Sequence, residues 1–368
     1  MLVSIFLRGG ADGLSLVVPY ADPHYRKARR GGLAVPPPGK PGGAIALAGG
    51  HGLHPGLKAI EPLFREKRLA LVHAVGRPRP TRSHFAEQDV FDTGVLANSP
   101  LTDGWINRHL AQVEPAGPVR GICFGSRLAR SLRGAVPVLA VSDLSSVALS
   151  GGSRGRASLA MLERLYGRAR DDLEAAGRSA LEAIRALSRV DPAAYVPAAG
   201  VVYPQGAFGR RLRQAAQIIK SDLGVEVISC DLGGWDTHER QLRRLESLTR
   251  TMGDGLAAFA RDLGPDLDRV VVVVMSEFGR TLQANNTGGT DHGRACAAFV
   301  LGGAVRGGRF HGRWPGLDKV HLHKGRELAW TTDFRGILHE VVTRHLGNPR
   351  PEKVFPAFKP GPQSLFSS

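Results

Sequence analysis

The run Arg269-Val270-Val271-Val272-Val273-Val274-Met275 decides the fold. It passes directly into Ser276-Glu277-Phe278-Gly279-Arg280 and, after a polar loop, reaches Gly289-Thr290-Asp291-His292-Gly293. An apolar run of this length that stops at a turn reads as a buried strand. A second such run, Val225 to Asp231, leads into Gly233-Gly234-Trp235-Asp236-Thr237-His238. Open α/β sheets carry their chemistry at the carboxyl ends of the strands, so these acidic and imidazole turns are expected to converge on one site. Asp, Glu and His meeting in a crevice are the donors of a metal centre.

Working outward, Leu2 to Leu7 and Leu69 to Val75 read as buried strands, and Pro36 to Gly43 as a surface loop. The prolines of Arg77-Pro78-Arg79-Pro80 forbid helix before Thr81, while Ser83 to Phe91 has helical spacing. Ser83 therefore sits at a helix N-terminus, where unpaired N–H groups and the positive dipole end suit an anion. Further on, Val136 to Val141 reads as a short strand and Ser150 to Ser153 as a turn. Leu159, Leu162, Leu165, Leu173, Ala176, Leu181, Ile184 and Leu187 then recur at helical intervals. Residues from about 116 to 200 thus form a mostly helical insertion or cap on one domain spanning 1–368. Beyond it, Phe208 to Lys220 and Glu239 to Leu263 read as helices, Ala297 to Leu301 as a strand, and Thr331 to Leu346 as a helix capped by Thr331 or Thr332. Strand then helix, repeated, predicts an α/β fold with a mostly parallel central sheet and helices on both faces.

Composition narrows the function. With 49 Lys and Arg against 33 Asp and Glu the net charge is +16, which favours anionic partners. The basic residues are spread along the chain and only 6% of residues are aromatic, so a specific nucleic-acid partner is not expected. Cys123, Cys230 and Cys296 lack paired spacing and read as buried thiols. No stretch approaches the roughly 18 apolar residues of a membrane span. The chain as written reads as soluble and cytoplasmic, or as periplasmic or secreted if a twin-arginine signal precedes it.

In order along the chain, Arg8-Gly9-Gly10-Ala11-Asp12-Gly13, Arg82-Ser83-His84-Phe85, Gly234-Trp235-Asp236-Thr237-His238, Ser276 to Thr281, Gly289 to Gly293 and Thr331-Thr332-Asp333-Phe334-Arg335 resemble the DUF1501 family of bacterial proteins. That family in turn resembles the alkaline phosphatase and sulfatase superfamily. The resemblance implies an alkaline-phosphatase-like three-layer sandwich with a metal site at the carboxyl edge of its sheet. It also implies that Asp12 matches a first metal-binding aspartate and Ser83 a hydroxyl nucleophile. Asp236 and His238 would match an Asp/His pair on one metal, Glu277 a usual aspartate, and His292 a late histidine ligand. Phe278 stands where that superfamily supplies a histidine, only one residue separates Asp236 from His238, and Ser83 lacks the Cys-x-Pro-x-Arg setting of many sulfatases.

The implied activity is metal-dependent hydrolysis of a phosphate or sulfate ester, small or part of an anionic polysaccharide. Ser83 attacks, and a divalent metal is held by a subset of Asp12, Asp236, His238, Glu277, Asp291 and His292. Arg82, Arg280 or Arg294 steadies the substrate oxygens. Imidazole with carboxylate suits zinc or manganese, and a carboxylate-weighted subset suits calcium or magnesium. Each residue has a structural alternative. Ser83 and Asp236 can be helix caps, Glu277 a buried partner of Arg280, Asp291 and His292 a hydrogen-bonded loop, and Asp12 a turn residue. His84 can be a ligand or a base, while His51 and His54 lie in a glycine-rich loop and are left out of the site. The second functional class is a non-catalytic binding or assembly protein that keeps the fold and at most one metal.

Overall fold

Valine-rich segments that alternate between two apolar clusters build the centre of the molecule. A computed structural model describes residues 1–29, 31–96, 100–146, 172–361 and 364–366. Its strands are β1 (Leu2–Leu7), β2 (Val17–Val18), β3 (Ile45–Ala46), β4 (Gly52–Leu53), β5 (Leu69–Gly76) and β6 (Gly121–Phe124). They continue with β7 (Leu139–Val141), β8 (Val227–Leu232), β9 (Val271–Met275), β10 (Cys296–Gly302), β11 (Phe310–His311) and β12 (Thr332–Asp333). The main sheet has the order β11-β5-β10-β9-β1-β8-β6-β7, with β12 also on β5, and β2-β4-β3 form a small antiparallel sheet.

Among the described residues only β10 runs against its neighbours in the main sheet; the other pairings are parallel. This single reversal positions the site. Strands β1, β5, β8 and β9 end at one edge, and β10 begins there, so the segment leading into β10 joins the loops leaving the other four.

Along β9, Val272 and Val274 enter one cluster with Leu212 and Ile219 of the helix Ala207–Lys220 and Leu256 and Phe259 of the helix Gln241–Leu263. Val271, Val273 and Met275 enter the other, with Val90 and Phe91 of the helix His84–Thr93 and Ile337 and Leu338 of the helix Phe334–Glu340. Each valine so covered stabilises the fold by roughly 1.5–3 kcal/mol, which explains a run without polar alternation. Cys123, Cys230 and Cys296 are buried and free. Among the described residues no helix is long and apolar enough to cross a membrane.

Two expectations are corrected. Thr331 and Thr332 do not cap a long helix: Thr332–Asp333 pairs with β5, Asp333 caps the helix Phe334–Glu340, and the chain continues as a π turn over Val341–His345. The Asp333 carboxylate accepts from the Arg335 N–H at 2.9 Å, a cap that two preceding threonines obscured. Strand β6 (Gly-Ile-Cys-Phe) was not foreseen because four residues carry no period. Of the proposed cap, the helix Asp172–Leu187 is present. Leu159, Leu162, Leu165 and the Ser150 to Ser153 turn lie outside the described residues.

Two buried imidazoles set an acid limit on stability. His73 on β5 stacks on Phe310 at 4.7 Å, and burial pushes its pKa down to about 3. His54 accepts from the Gly56 N–H at 3.0 Å, and burial pushes it down to about 4. Both folded values lie below the unfolded value near 6.5, so their stabilisation is complete above that pH and is lost as pH falls toward the folded values. Urea titrations are expected to show a loss of roughly 2 kcal/mol between pH 7 and pH 5 from each such imidazole, His109 and His345 being lowered to about 4 as well, and His73→Phe is expected to remove one share. Stability unchanged over this range would refute the assignment.

Candidate metal centre

The loop after β5 is held by a buried ion pair. Arg77 Nε and Nη2 donate to Glu87 at 2.6 and 2.7 Å, and the Thr81 N–H and hydroxyl donate to the same carboxylate at 2.6 and 2.8 Å. Arg82 adopts φ +70°, a left-handed conformation that costs a non-glycine residue of order 1–3 kcal/mol and recurs at functional sites. The turn delivers Ser83 as N-cap and His84 as first residue of the helix His84–Thr93.

His84 Nδ1 lies 2.8 Å from Glu277 Oε1, which also accepts from the Gly9 N–H at 3.0 Å and from Gln88 Nε2 at 2.8 Å. Ser276 Oγ is 2.8 Å from the other oxygen. Burial pushes the Glu277 carboxyl up, but these donors outweigh it and hold it below the usual range, so it accepts as a carboxylate. His84 then donates from Nδ1, and its Nε2 faces Asp236. That nitrogen is buried and makes no hydrogen bond, 3.4 Å from Asp236 Oδ1.

Asp236 and His238 follow β8. Gly9, at φ +121°, lets the β1 loop pass beneath them, since a Cβ there would lie 2.5 Å from Asp236 N. Asp236 Oδ1 is 3.0 Å from His238 Nε2 and 3.3 Å from His292 Nε2, and it accepts from Arg280. Burial raises this carboxyl, and the Arg280 hydrogen bond and charge overcome it, bringing it down to about 2. His238 Nδ1 is 3.4 Å from Asp291 Oδ1, while His292 Nδ1 is 2.8 Å from the Arg82 carbonyl. Burial, and to a lesser degree Arg280, keep His292 below its ordinary pKa.

Among the described residues, His84, Asp236 and His292 form a donor group that could hold a metal ion. Three imidazoles each rest Nδ1 against an oxygen acceptor and turn Nε2 toward one carboxylate oxygen, the arrangement by which outer partners orient histidine ligands. His238 Nε2 and His292 Nε2 are 2.9 Å apart, within hydrogen-bond distance of one another. Ligand atoms on a tetrahedral zinc at roughly 2.0–2.1 Å are about 3.3 Å from one another. The contacts to Asp236 Oδ1 span 3.0 to 3.4 Å. One ligand atom from each of His84, Asp236 and His292 falls within 4.8 Å of the others.

The remaining expected residues are placed differently. Glu277 and Asp291 orient imidazoles through Nδ1. Asp12 is fully buried and paired with Arg29, whose Nη2 donates to Oδ1 at 2.7 Å and whose Nη1 donates to Oδ2. Burial raises the Asp12 carboxyl, and Arg29 overrides it, holding it low. Gln241 Nε2 donates to Asp12 at 2.6 Å, and its carbonyl accepts from the Thr237 and Thr290 hydroxyls at 3.1 and 2.6 Å. Asp12 thus supports the loops that carry Asp236, His238 and Asp291 from below.

Arg280 does not face a substrate. It is buried, and all three nitrogens donate to protein: Nε to the Gly10 carbonyl, Nη1 to that of Thr290, and Nη2 to those of Gly9 and Trp235 and to Asp236. Glu277 is accordingly not its partner. Arg294 Nε donates to Glu327 at 3.1 Å. Ser83 is exposed, and its side chain makes no capping bond. Phe278 packs on His84 and His292 with ring centroids 4.9 Å from each. Gln88, Gln241, Asn285 and Arg29 escaped sequence reading because amides and a lone arginine on a short helix carry no spacing signal. Asn285 Nδ2 donates to the His238 carbonyl at 2.8 Å and to Asp291 at 3.2 Å.

No curated protein matches the chain. Among solved structures, the C-terminal periplasmic domain of EcEptC from Escherichia coli, in complex with Zn, is similar at 9% identity. The similarity spans 82% of this chain and 72% of that one, with a TM-score of 0.35. Ps i-CgsB in complex with k-i-k-neocarrahexaose is similar at 10% identity over 94% and 72%, with a TM-score of 0.38. Residues 77–349 match the family described as "Protein of unknown function (DUF1501)", and on that match the chain belongs to the DUF1501 family.

Proposed function

We propose that this protein is a metal-dependent hydrolase of phosphate or sulfate esters, with His84, Asp236, His238 and His292 holding one divalent ion. The observation that carries the reading is the convergence of three Nε2 atoms on Asp236 Oδ1, each ring braced through Nδ1. Three imidazoles and one carboxylate favour zinc, with manganese next, over the oxygen-seeking calcium and magnesium. An ion held there supplies Lewis acidity and neutralises an anionic ester.

Ser83 is the nucleophile in this reading. Its hydroxyl is exposed, is not used as a cap, and lies between Arg82, which braces His292, and His84. Its oxygen bonds to phosphorus or sulfur as the bond to the alcohol oxygen breaks, and its proton passes through water to that leaving oxygen; water then attacks the seryl ester, releasing the acid and returning a proton to Ser83. The mixed α/β sheet supports the finer assignment of an alkaline-phosphatase-like three-layer sandwich, one domain over 1–368; β6 and β7 belong to the main sheet, which leaves the later part of the 116–200 span as the cap.

Ser83→Ala is expected to keep zinc at wild-type stoichiometry while losing cleavage of p-nitrophenyl phosphate or sulfate by at least about a thousandfold. Phe278 favours the other class, a binding or assembly protein, because it fills with an aromatic ring the place where the resemblance calls for a further ligand. A zinc-loaded wild type that cleaves neither ester would support that class and overturn the hydrolase.

A further inference from the structure

A second group of charges adjoins the centre. Glu327 is buried, and its two oxygens hold two guanidiniums, Oε1 at 3.3 Å from Arg82 Nη1 and Oε2 at 3.1 Å from Arg294 Nε. Both arginines are tied to the centre by the chain: the Arg82 carbonyl braces His292, and Arg294 follows His292 by two residues. Glu327 engages one nitrogen of each, and among the described residues the other guanidinium N–H groups have no protein partner.

A tight turn adds further charge. Positive φ at Lys324 (+51°) and Gly325 (+66°) reverses the chain so that His323 and Glu327 pair, which leaves Lys324 and Arg326 exposed. His323 senses the result: burial lowers its pKa first, and Arg294, Lys324 and Arg82 lower it further. Arg82 and Arg294 share the carboxylate of Glu327, and Arg326 helps to lower the pKa of Asp291, so four cations stand against two carboxylates. The fold leaves the excess positive charge unneutralised, and a bound anion would neutralise it.

We propose that Arg82, Arg294, Lys324 and Arg326 bind a second sulfate or phosphate group of the substrate, which makes the substrate a multiply charged ester. The inference rests on the ester-cleavage reading above and extends it, since the metal centre answers one anionic group and this rim another. Arg280 has no part in it, because all its nitrogens serve the protein.

The test is calorimetric binding to the zinc-loaded protein with sucrose octasulfate, inositol hexakisphosphate, inorganic sulfate, sucrose and an eight-residue oligothymidylate. The octasulfate or the hexakisphosphate is expected to bind at least tenfold tighter than sulfate, and the stronger of the two identifies the acid. Arg294→Gln and the doubly substituted Lys324→Gln, Arg326→Gln protein are expected to lose tenfold or more. Arg65→Gln, at the opposite edge of the sheet before β5, is expected to bind as the wild type does. Lys324 and Arg326 are exposed, so their variant tests the rim even where Arg294→Gln folds poorly.

Equal losses in Arg65→Gln would show general attraction to a basic surface and overturn the proposal, as would tighter binding of the oligothymidylate. Polyanion binding that depends on Arg294 in a wild type that takes up no zinc and cleaves no ester would leave the rim standing and the hydrolase fallen. Turnover and zinc with polyanion binding indifferent to the rim variants would sink the rim alone.

Discussion

Alanine at His84 or at His238 is expected to remove stoichiometric zinc, with apparent affinity falling by a hundredfold or more in each variant. Structural zinc sites bind with apparent free energies of about 10–16 kcal/mol at neutral pH. One of four ligands therefore carries roughly 3 kcal/mol, or about two decades in affinity. His84 is the more informative position because its Nε2 is buried without a hydrogen bond, so nothing but a bound cation or proton satisfies it. Glu277→Gln is expected to cost less, about 10–100-fold, because Glu277 touches only the Nδ1 side of that ring. Elemental analysis with competition by a chromophoric chelator reads all three. Zinc held equally by the wild type and both alanine variants would place the metal elsewhere.

Asp12→Ala is expected to destabilise the fold by roughly 3–5 kcal/mol, because it leaves the Arg29 guanidinium buried without its counter-ion. Asp12→Asn keeps the hydrogen-bonding shape without the charge and should fall between this variant and the wild type. Replacing both partners, Asp12→Asn with Arg29→Met, should restore much of the loss, since no isolated charge remains. Urea denaturation measures the series, and zinc content decides the role. A carboxylate saturated by Arg29, Ser15 and Gln241 predicts that Asp12→Asn keeps zinc at reduced stability. Lost zinc at unchanged stability would make Asp12 a ligand.

The same buried pair shows where sequence reading runs out. Gly-Ala-Asp-Gly after a strand looks alike whether its aspartate meets a metal or a guanidinium. The choice depends on a six-residue helix, Pro23–Ala28, that swings Arg29 inward. Arg280 behaves similarly: a lone arginine after Glu277 invites pairing with it or with substrate, whereas the fold brings four carbonyls and Asp236 within its reach. His84 was legible only as one of two options, ligand or base. Its role depends on Glu277, 193 residues away, meeting Nδ1 rather than Nε2.

The sequence by itself determined the long buried strands and the edge they serve. Valine runs without polar alternation must be buried on both faces, and turns rich in glycine, Asp and His directly after them must lie at the strand ends. Those are local consequences of side-chain volume, backbone freedom and the two-residue period of a strand. Only the tertiary structure decided which donors face one another. Strand β10 runs against β5 and β9, which brings Asp291 and His292 to the edge where β1, β5, β8 and β9 end. Whether each carboxylate then faces an imidazole Nε2, an imidazole Nδ1 or a guanidinium is settled by contacts between residues far apart in the chain, and no local period encodes them.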